Sequence, residues 1–540
     1  MDPTAHSEFY KYTTPLITPL SFDPATSTHI PFRATPHHTH RTWARTYTSH
    51  PELYLQPASL PELRLIIHLA RQTRKTLTLT GSSHSPSTIT QTTSWLINLD
   101  NFSRVVSADP TDTTITVEAG IRLHQLLKEL DALGWTMRNL GSITEQSVAG
   151  AIATGTHGSS LRHGLLSDSV VEITIMLANG ELVTCSKDKN TELFRAALVS
   201  LGALGVVTHV KFQAVKAFDL RWTQKVVDWT EFVENWDNAD WHHHEFARCW
   251  WFPYSGKAVV WYADKTEEPR TGRPASWYAE GWRRWGYEAA LYVATWFPSL
   301  VPVVERWVFR MQYGKLLAGE VVGAVEKSDE ALTMDCLFSQ LVNEWAIPLH
   351  HGPAALRRLT AWLTHDLKSA NIPISPSNIF VHAPIEVRVS NTCPTDPTTS
   401  AFETPRPFLD QSIVPSALLS PSSLSTSTTA EGGATEKTVS SPAGSESPTL
   451  YLNATLYRPF HRNPPHWQRY YTAFELLMKE YGGKPHWAKN CVSVGREEWA
   501  GMYGEGMRRW REVRRGVDPE GVFVGEWLSG CVLGEEKEVQ

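Results

Sequence analysis

The chain has 540 residues, of which 41% are hydrophobic and 20% charged, and a formal net charge of −6. That length is too great for one core and implies two or three domains; the acidic balance excludes a general nucleic-acid binder. Six scattered cysteines without a Cys-x-x-Cys pair exclude a zinc ribbon and a dense disulfide framework, and point to reduced thiols in an intracellular protein.

Residues 1–42 are rich in Thr, Pro and His, lack periodicity, and are expected to form a loose leader. They begin with an early acid and no apolar run, so no secretory signal is expected. From Trp43 the pattern becomes globular. A helix is predicted over 60–72, strands over 76–80, 95–100 and 114–119, and a helix over 123–133 that Gly134 can stop. Strands over 170–177 and 182–185 flank Asn179-Gly180, a strong hairpin signal. A helix over 191–200 and a strand to about 213 close an α+β region at residue 218.

From 219 to 540 the composition shifts toward Trp, His and Arg. Arg248-Cys-Trp-Trp-Phe-Pro-Tyr254 reads as a buried strand, with 258–262 as its partner. Residues 289–304 carry no charge, but two prolines interrupt them and they are too few to span a bilayer. Together with the Trp- and Arg-rich stretch from 277, they read either as a buried helix pair or as a segment lying on a membrane surface. Over 385–389 a strand alternates so that Glu386 and Arg388 share one face, about 7 Å apart. Residues 391–450 hold 23 Ser or Thr and 8 Pro among 60, too little apolar surface to offset ordering, so a disordered insertion is expected. Helices follow over 466–481 and 496–515. Three adjacent histidines at 242–244 cannot all point one way, and no metal site is expected.

Two stretches carry chemistry at their surface. Thr80-Gly81-Ser82-Ser83-His84-Ser85 follows a strand and offers small residues whose backbone N–H groups can turn around a phosphate, with His84 at the rim. Ser147 to Gly158 is a run of small residues, ending in Thr154-Gly155-Thr156-His157, that lets another backbone approach the same ligand. Asn139-Leu-Gly141-Ser142 lies just before it. Glu386-Val-Arg388 could as well be a salt bridge on a solvated sheet. Pro485-His486-Trp-Ala-Lys489-Asn490 falls between the last helices.

In this order the motifs resemble the aldonolactone oxidase branch of the vanillyl-alcohol-oxidase flavoprotein superfamily, from Trp43 to Leu528 apart from the insertion. The resemblance implies an α+β fold: a two-part FAD-binding domain over 43–218, then an α+β substrate domain over 219–540. It implies FAD bonded covalently to His84, with Ser83 standing where relatives carry glycine, tolerable if its φ is negative. It places Thr80 to Ser85, Gly141, Ser142, Ser147, Gly150, Thr154 to His157, Val206, His486 and Lys489 at the cofactor. Glu386, Arg388, Lys489 and Ser142 are the expected catalytic group.

Oxidising a secondary alcohol with a flavin requires an acceptor for the hydroxyl proton and positive charge beside the reduced ring. Glu386 can be the first, and Arg388 and Lys489 the second. The expected reaction is oxidation of an aldono-1,4-lactone at C2 with oxygen as acceptor, D-arabinono-1,4-lactone giving D-erythroascorbate and hydrogen peroxide. Gly141 leaves room for oxygen. A dehydrogenase using a cytochrome or quinone, and an inactive membrane-attached interaction protein, are the rival readings. The resemblance also suggests attachment to a mitochondrial membrane.

Overall fold

The computed structural model of the protein describes residues 22–23, 28–277, 281–391, 405–413 and 448–533. The first helix, Leu60–Gln72, begins at Ser59, whose hydroxyl accepts the Glu62 N–H at 3.4 Å, with Pro61 in the first turn where no N–H is needed. It packs on a four-stranded sheet ordered Ala34–Pro36, Leu53–Leu55, Trp95–Asn98, Leu77–Thr80, in which the last three strands run parallel. Order therefore begins before Trp43, contrary to the loose leader expected through residue 42. Ala34–Pro36 pairs with Leu53–Leu55, and Phe32 is buried beneath it, so apolar burial reaches into a segment whose composition hid it.

A second sheet is antiparallel, ordered Leu182–Ser186, Val170–Met176, Val206–Gln213, Thr114–Glu118, Val105–Asp109. Its hairpin turns at Asn179-Gly180 as predicted, with Gly180 at φ 81°. Helices Leu123–Ala132, Val148–Ala153 and Thr191–Ala197 pack into the same core.

The remainder is built on one eight-stranded sheet. Its order is Val322–Lys327, Asp219–Asp228, Lys257–Thr266, Phe246–Phe252, Ile385–Ser390, Thr449–Tyr457, Gln340–Pro348, Lys484–Pro485. Ile385, Val387 and Val389 point into a core formed with helices Gly352–Leu363 and Trp467–Glu480, which leaves Glu386 and Arg388 for the opposite face. The predicted single helix over 496–515 is two, Arg496–Tyr503 and Glu505–Val517, because Gly504 takes φ 48° and ψ −119° between them.

Residues 392–404 and 414–447 of the expected insertion lie outside the described residues. Residues 405–413 do not fit the expectation of disorder. Phe408 and Leu409 are buried, the Arg195 and Arg509 guanidinium groups lie over the Phe408 ring, and the Trp487 indole N–H donates to Leu409 O at 2.9 Å. A short apolar anchor was masked by its Ser/Thr-rich surroundings. The five described cysteines are free thiols.

The Trp-rich segment forms helices Gly281–Ala294 and Val301–Leu317. They do not form a fully buried pair: Trp282 is 71% exposed and Trp285 64%, and Trp296, Phe297 and Val303 are exposed beside them. Among the described residues no helix is long and apolar enough to cross a membrane.

Candidate functional site

The turn after Leu77–Thr80 opens a cleft of about 1130 Å³, part of it open to solvent. Thr80 to Ser85, Ser147, Gly150 and Thr154 all line it, so the two stretches singled out by their small residues do meet. The approach is close: a Cβ on Gly81 would fall 2.1 Å from Ser147 Oγ. Ser147 caps Val148–Ala153 by accepting the Gly150 N–H at 3.3 Å. Ser83 sits at φ 58°, not the negative value its side chain was expected to need. Its hydroxyl lies 3.2 Å from Thr80 Oγ1 and its carbonyl accepts the Trp43 N–H at 2.7 Å, which holds the left-handed conformation in place.

His84 stacks on Trp43 with ring centroids 5.2 Å apart. Burial, helped by the positive Lys489 and Arg122, lowers its pKa to about 4, so the imidazole is neutral at pH 7. Its Nδ1 is buried without a partner. Arg122 was not anticipated; its Nη1 is likewise buried without a partner, near Gly81. Nor were Gln146 or the C-terminal residues Phe523 and Gly525 to Leu528, which form part of the cleft wall. Gly205 and Val207 line the cleft, whereas Val206 points into the core beside Met176. Gly141 abuts Thr156: a Cβ there would meet its methyl at 2.8 Å. Ser142 Oγ is buried without a partner.

The remaining expected residues gather elsewhere, on the face of the large sheet. Strand register sets them in rows. Arg248, Arg388 and Tyr451 are directly opposed on adjacent strands, and next to them Glu386, Asn453 and Glu344. Arg388 is ion-paired with Glu344, and its Nε is 3.6 Å from Glu386 Oε2. Glu386 Oε2 also accepts from Asn453 at 3.4 Å, while Glu386 Oε1 has no partner. Lys489 Nζ is 3.8 Å from Glu344 Oε2. His157 stacks on Tyr451 with centroids 3.5 Å apart, and its Nε2 is 3.4 Å from Glu344 Oε1. The His486 N–H donates to the Glu344 carbonyl at 2.9 Å.

Burial opposes charge on Glu344, but Arg388, His157 and Lys489 outweigh it and hold the carboxyl well below its ordinary pKa. Burial lowers His157 and His486, with Arg388 adding to both, so the two rings are neutral. Burial also lowers Arg388, but Glu344 and Glu386 more than reverse this and raise it. His157, Glu344 and His486 bring ligand-type atoms within 4.8 Å of one another. The guanidinium and ammonium already held by the same carboxylate would repel a divalent cation there.

Glu344 is the residue sequence reasoning missed. Its strand, Gln340–Pro348, reads Gln-Leu-Val-Asn-Glu-Trp-Ala-Ile-Pro, with only one charge and no motif around it. The two regions are stitched together after His157. The Ser160 N–H donates to Val389 O at 2.8 Å, Ser159 donates to Ala247 O, and the Val389 N–H donates to Ser159 Oγ at 3.2 Å.

The small-residue cradle and the orphaned His84 nitrogen fit a flavin dinucleotide. Residues 51–186 match a family described as FAD binding domain, and residues 210–531 one described as D-arabinono-1,4-lactone oxidase. The chain is 42% identical to the D-arabinono-1,4-lactone oxidase of Yarrowia lipolytica over 92% of its length and 96% of that protein's. It is 39% identical to the enzyme of that name from Eremothecium gossypii, over 90% and 93%. A solved cholesterol oxidase from B. sterolicum shares the fold with a TM-score of 0.73 at 14% identity, covering 92% of this chain and 97% of that one.

Proposed function

The chain belongs to the D-arabinono-1,4-lactone oxidase family, and from that premise we propose that its substrate is D-arabinono-1,4-lactone, oxidised at C2 on the sheet face that holds Glu386 and Arg388. The protein is a flavin-dependent oxidoreductase that converts an aldono-1,4-lactone to an ascorbate-type product and hydrogen peroxide. Bound FAD supplies the acceptor for the two electrons leaving the substrate carbon and passes them to oxygen.

The observation that carries the assignment is the pairing of Glu386 and Arg388 on one buried face, each with a polar atom lacking a hydrogen-bond partner. Glu386 Oε1 accepts the hydrogen bond of the C2 hydroxyl and takes its proton. Arg388 and Lys489 hold positive charge where negative charge develops, Arg388 buried and Lys489 partly so. Ser142 orients the lactone through its hydroxyl. His84 is neutral, so its free Nδ1 is a competent nucleophile for bonding to the cofactor; the covalent link is part of this reading. The Trp282, Trp285, Trp296 and Phe297 side chains, with exposed Arg284, Arg306 and Arg310 nearby in sequence, suit a peripheral contact with a membrane surface, a mitochondrial one in this reading.

Under anaerobic conditions D-arabinono-1,4-lactone should bleach the flavin absorbance of the purified protein. Oxygen should restore it with one peroxide per lactone, and the L-galactono and L-gulono lactones should act more slowly. Absence of bleaching by all three would refute the assignment. Acid-precipitated protein should stay yellow and His84→Ala should release the colour; flavin washing out of denatured wild type would remove the covalent link. Flotation with vesicles should be lost when Trp282 and Trp285 become Ser, and equal flotation by both forms would remove the membrane contact.

A further inference from the structure

The Glu344 carboxylate, wholly withdrawn from solvent, touches side chains from three distant segments of the chain. One oxygen is ion-paired with Arg388 and stands 3.4 Å from the His157 ring; the other stands 3.8 Å from the Lys489 ammonium. Burying a carboxylate so completely is costly unless it is paired, and an apolar side chain of similar volume could fill the same space without that cost. Glu344 is thus better explained by what it holds than by packing. The contrast with its neighbour across Asn453 is informative. Arg388 has two carboxylates within reach, and only Glu344 forms the close pair. Glu386 keeps one oxygen without a partner and offers the other at 3.6 Å, too far for a hydrogen bond.

We infer that Glu344 is a positioning residue of the reaction: it takes up Arg388 and Lys489, fixes both cations in place, and so leaves Glu386 free to accept from the substrate hydroxyl. This rests on the roles proposed above for Glu386 and Arg388. The charges support the division. Glu344 faces Arg388 and Lys489, Glu386 faces Arg388 and Arg248, and the His157 and His486 rings are neutral. Removing the Glu344 charge takes away the close partner of Arg388, and Glu386, which already faces Arg248, is drawn to Arg388 instead of serving as the substrate acceptor.

The test uses the FAD-loaded enzyme with Glu344→Gln and Glu344→Asp. With Gln, the reduction potential of the bound flavin should rise, because a negative charge beside a site of developing negative charge has gone. The anaerobic rate of bleaching by lactone should nevertheless fall by about tenfold to a hundredfold, the usual cost of losing a partner that orients a functional side chain. With Asp, the potential should stay near wild type and the rate should still fall, since the charge remains but its reach does not. The potential is read by chemical reduction and needs no lactone, so a wrong substrate assignment shows as wild type that no lactone bleaches. A wrong role for Glu344 shows as an unmoved potential and rate with only a lower melting temperature. Failure of both variants to take up FAD would likewise assign Glu344 to folding and overturn the inference.

Discussion

The cleft at Thr80 to Ser85 and the charged face around Glu386, which act together in the proposed reaction, are constructed in opposite ways. The cleft comes from short runs of neighbouring residues: a strand and turn, a run of small side chains that allows Gly81 to press against Ser147, and a wall over Gly525 to Leu528. The charged face comes from register: four neighbouring strands set Arg248, Arg388, Tyr451, Glu386, Asn453 and Glu344 side by side, although they span more than two hundred positions. A site built from short runs depends chiefly on the local backbone geometry of each run. A register-built site fails as a unit when one row loses a charge.

That contrast can be tested most strongly on the charged face. Glu386→Gln and Arg388→Ala should each slow anaerobic flavin bleaching by about 10²–10³, while reoxidation by oxygen and the bound colour stay near wild type. Bleaching at the normal rate in both variants would return the pair to the role of a salt bridge.

The next effect lies where the two regions meet. Residues 405–413 join them: Gln411 donates to Gly155 O at 2.6 Å, and Ser412 lies 2.9 Å from the Tyr451 hydroxyl. Phe408→Ala should cost about 3 kcal/mol of stability, whereas deleting residues 414–447 with 405–413 kept should leave melting and turnover nearly unchanged. Comparable melting losses for the two changes would contradict the anchor.

A pH titration separates the regions further. His382 is buried, its ring donates to Tyr457 O at 2.7 Å, and burial lowers its pKa to about 4. The unfolded chain therefore binds a proton near pH 6.5 that the folded chain refuses. The contribution is fully present above that value and is lost as pH falls toward 4, up to about 3 kcal/mol. His382→Gln should flatten the stability curve between pH 4 and 6.5; an unaltered slope in urea titrations at several pH values would argue against a buried neutral ring. The smallest effect belongs to the turn. Ser83→Gly should stabilise the protein by about 1 kcal/mol, since φ 58° strains a residue with a Cβ. A loss instead would mean that the Ser83 hydroxyl contact with Thr80 outweighs the strain.

The same division governs what could be read from the chain itself. The Leu60–Gln72 helix, the Asn179-Gly180 hairpin and the His84 turn follow from local periodicity, capping and turn chemistry, and appear where those signals put them. The alternation over 385–389 correctly gave Glu386 and Arg388 a common face. Nothing local marks Glu344, because its meaning depends on which strands lie beside it. Gly504 splits a continuous helical pattern through a backbone conformation that periodicity does not encode. Phe408 and Leu409 were diluted by their neighbours, and Val206 and Val207 differ only in which of two alternating faces meets the cofactor cleft.

The return of the C-terminal segment also has a consequence for biosynthesis. Leu77 donates its N–H to Val522 O at 2.7 Å, Phe523 joins the core around Leu77, and Gly525 to Leu528 wall the cleft. A chain emerging from the ribosome makes its phosphate turn early and folds its first sheets while most of the sequence is still untranslated. The last wall of the cleft does not exist until residues 523–528 have been translated. If the cofactor sits in this cleft as proposed, a chain that stops before residue 523 carries the turn and its histidine but not that wall.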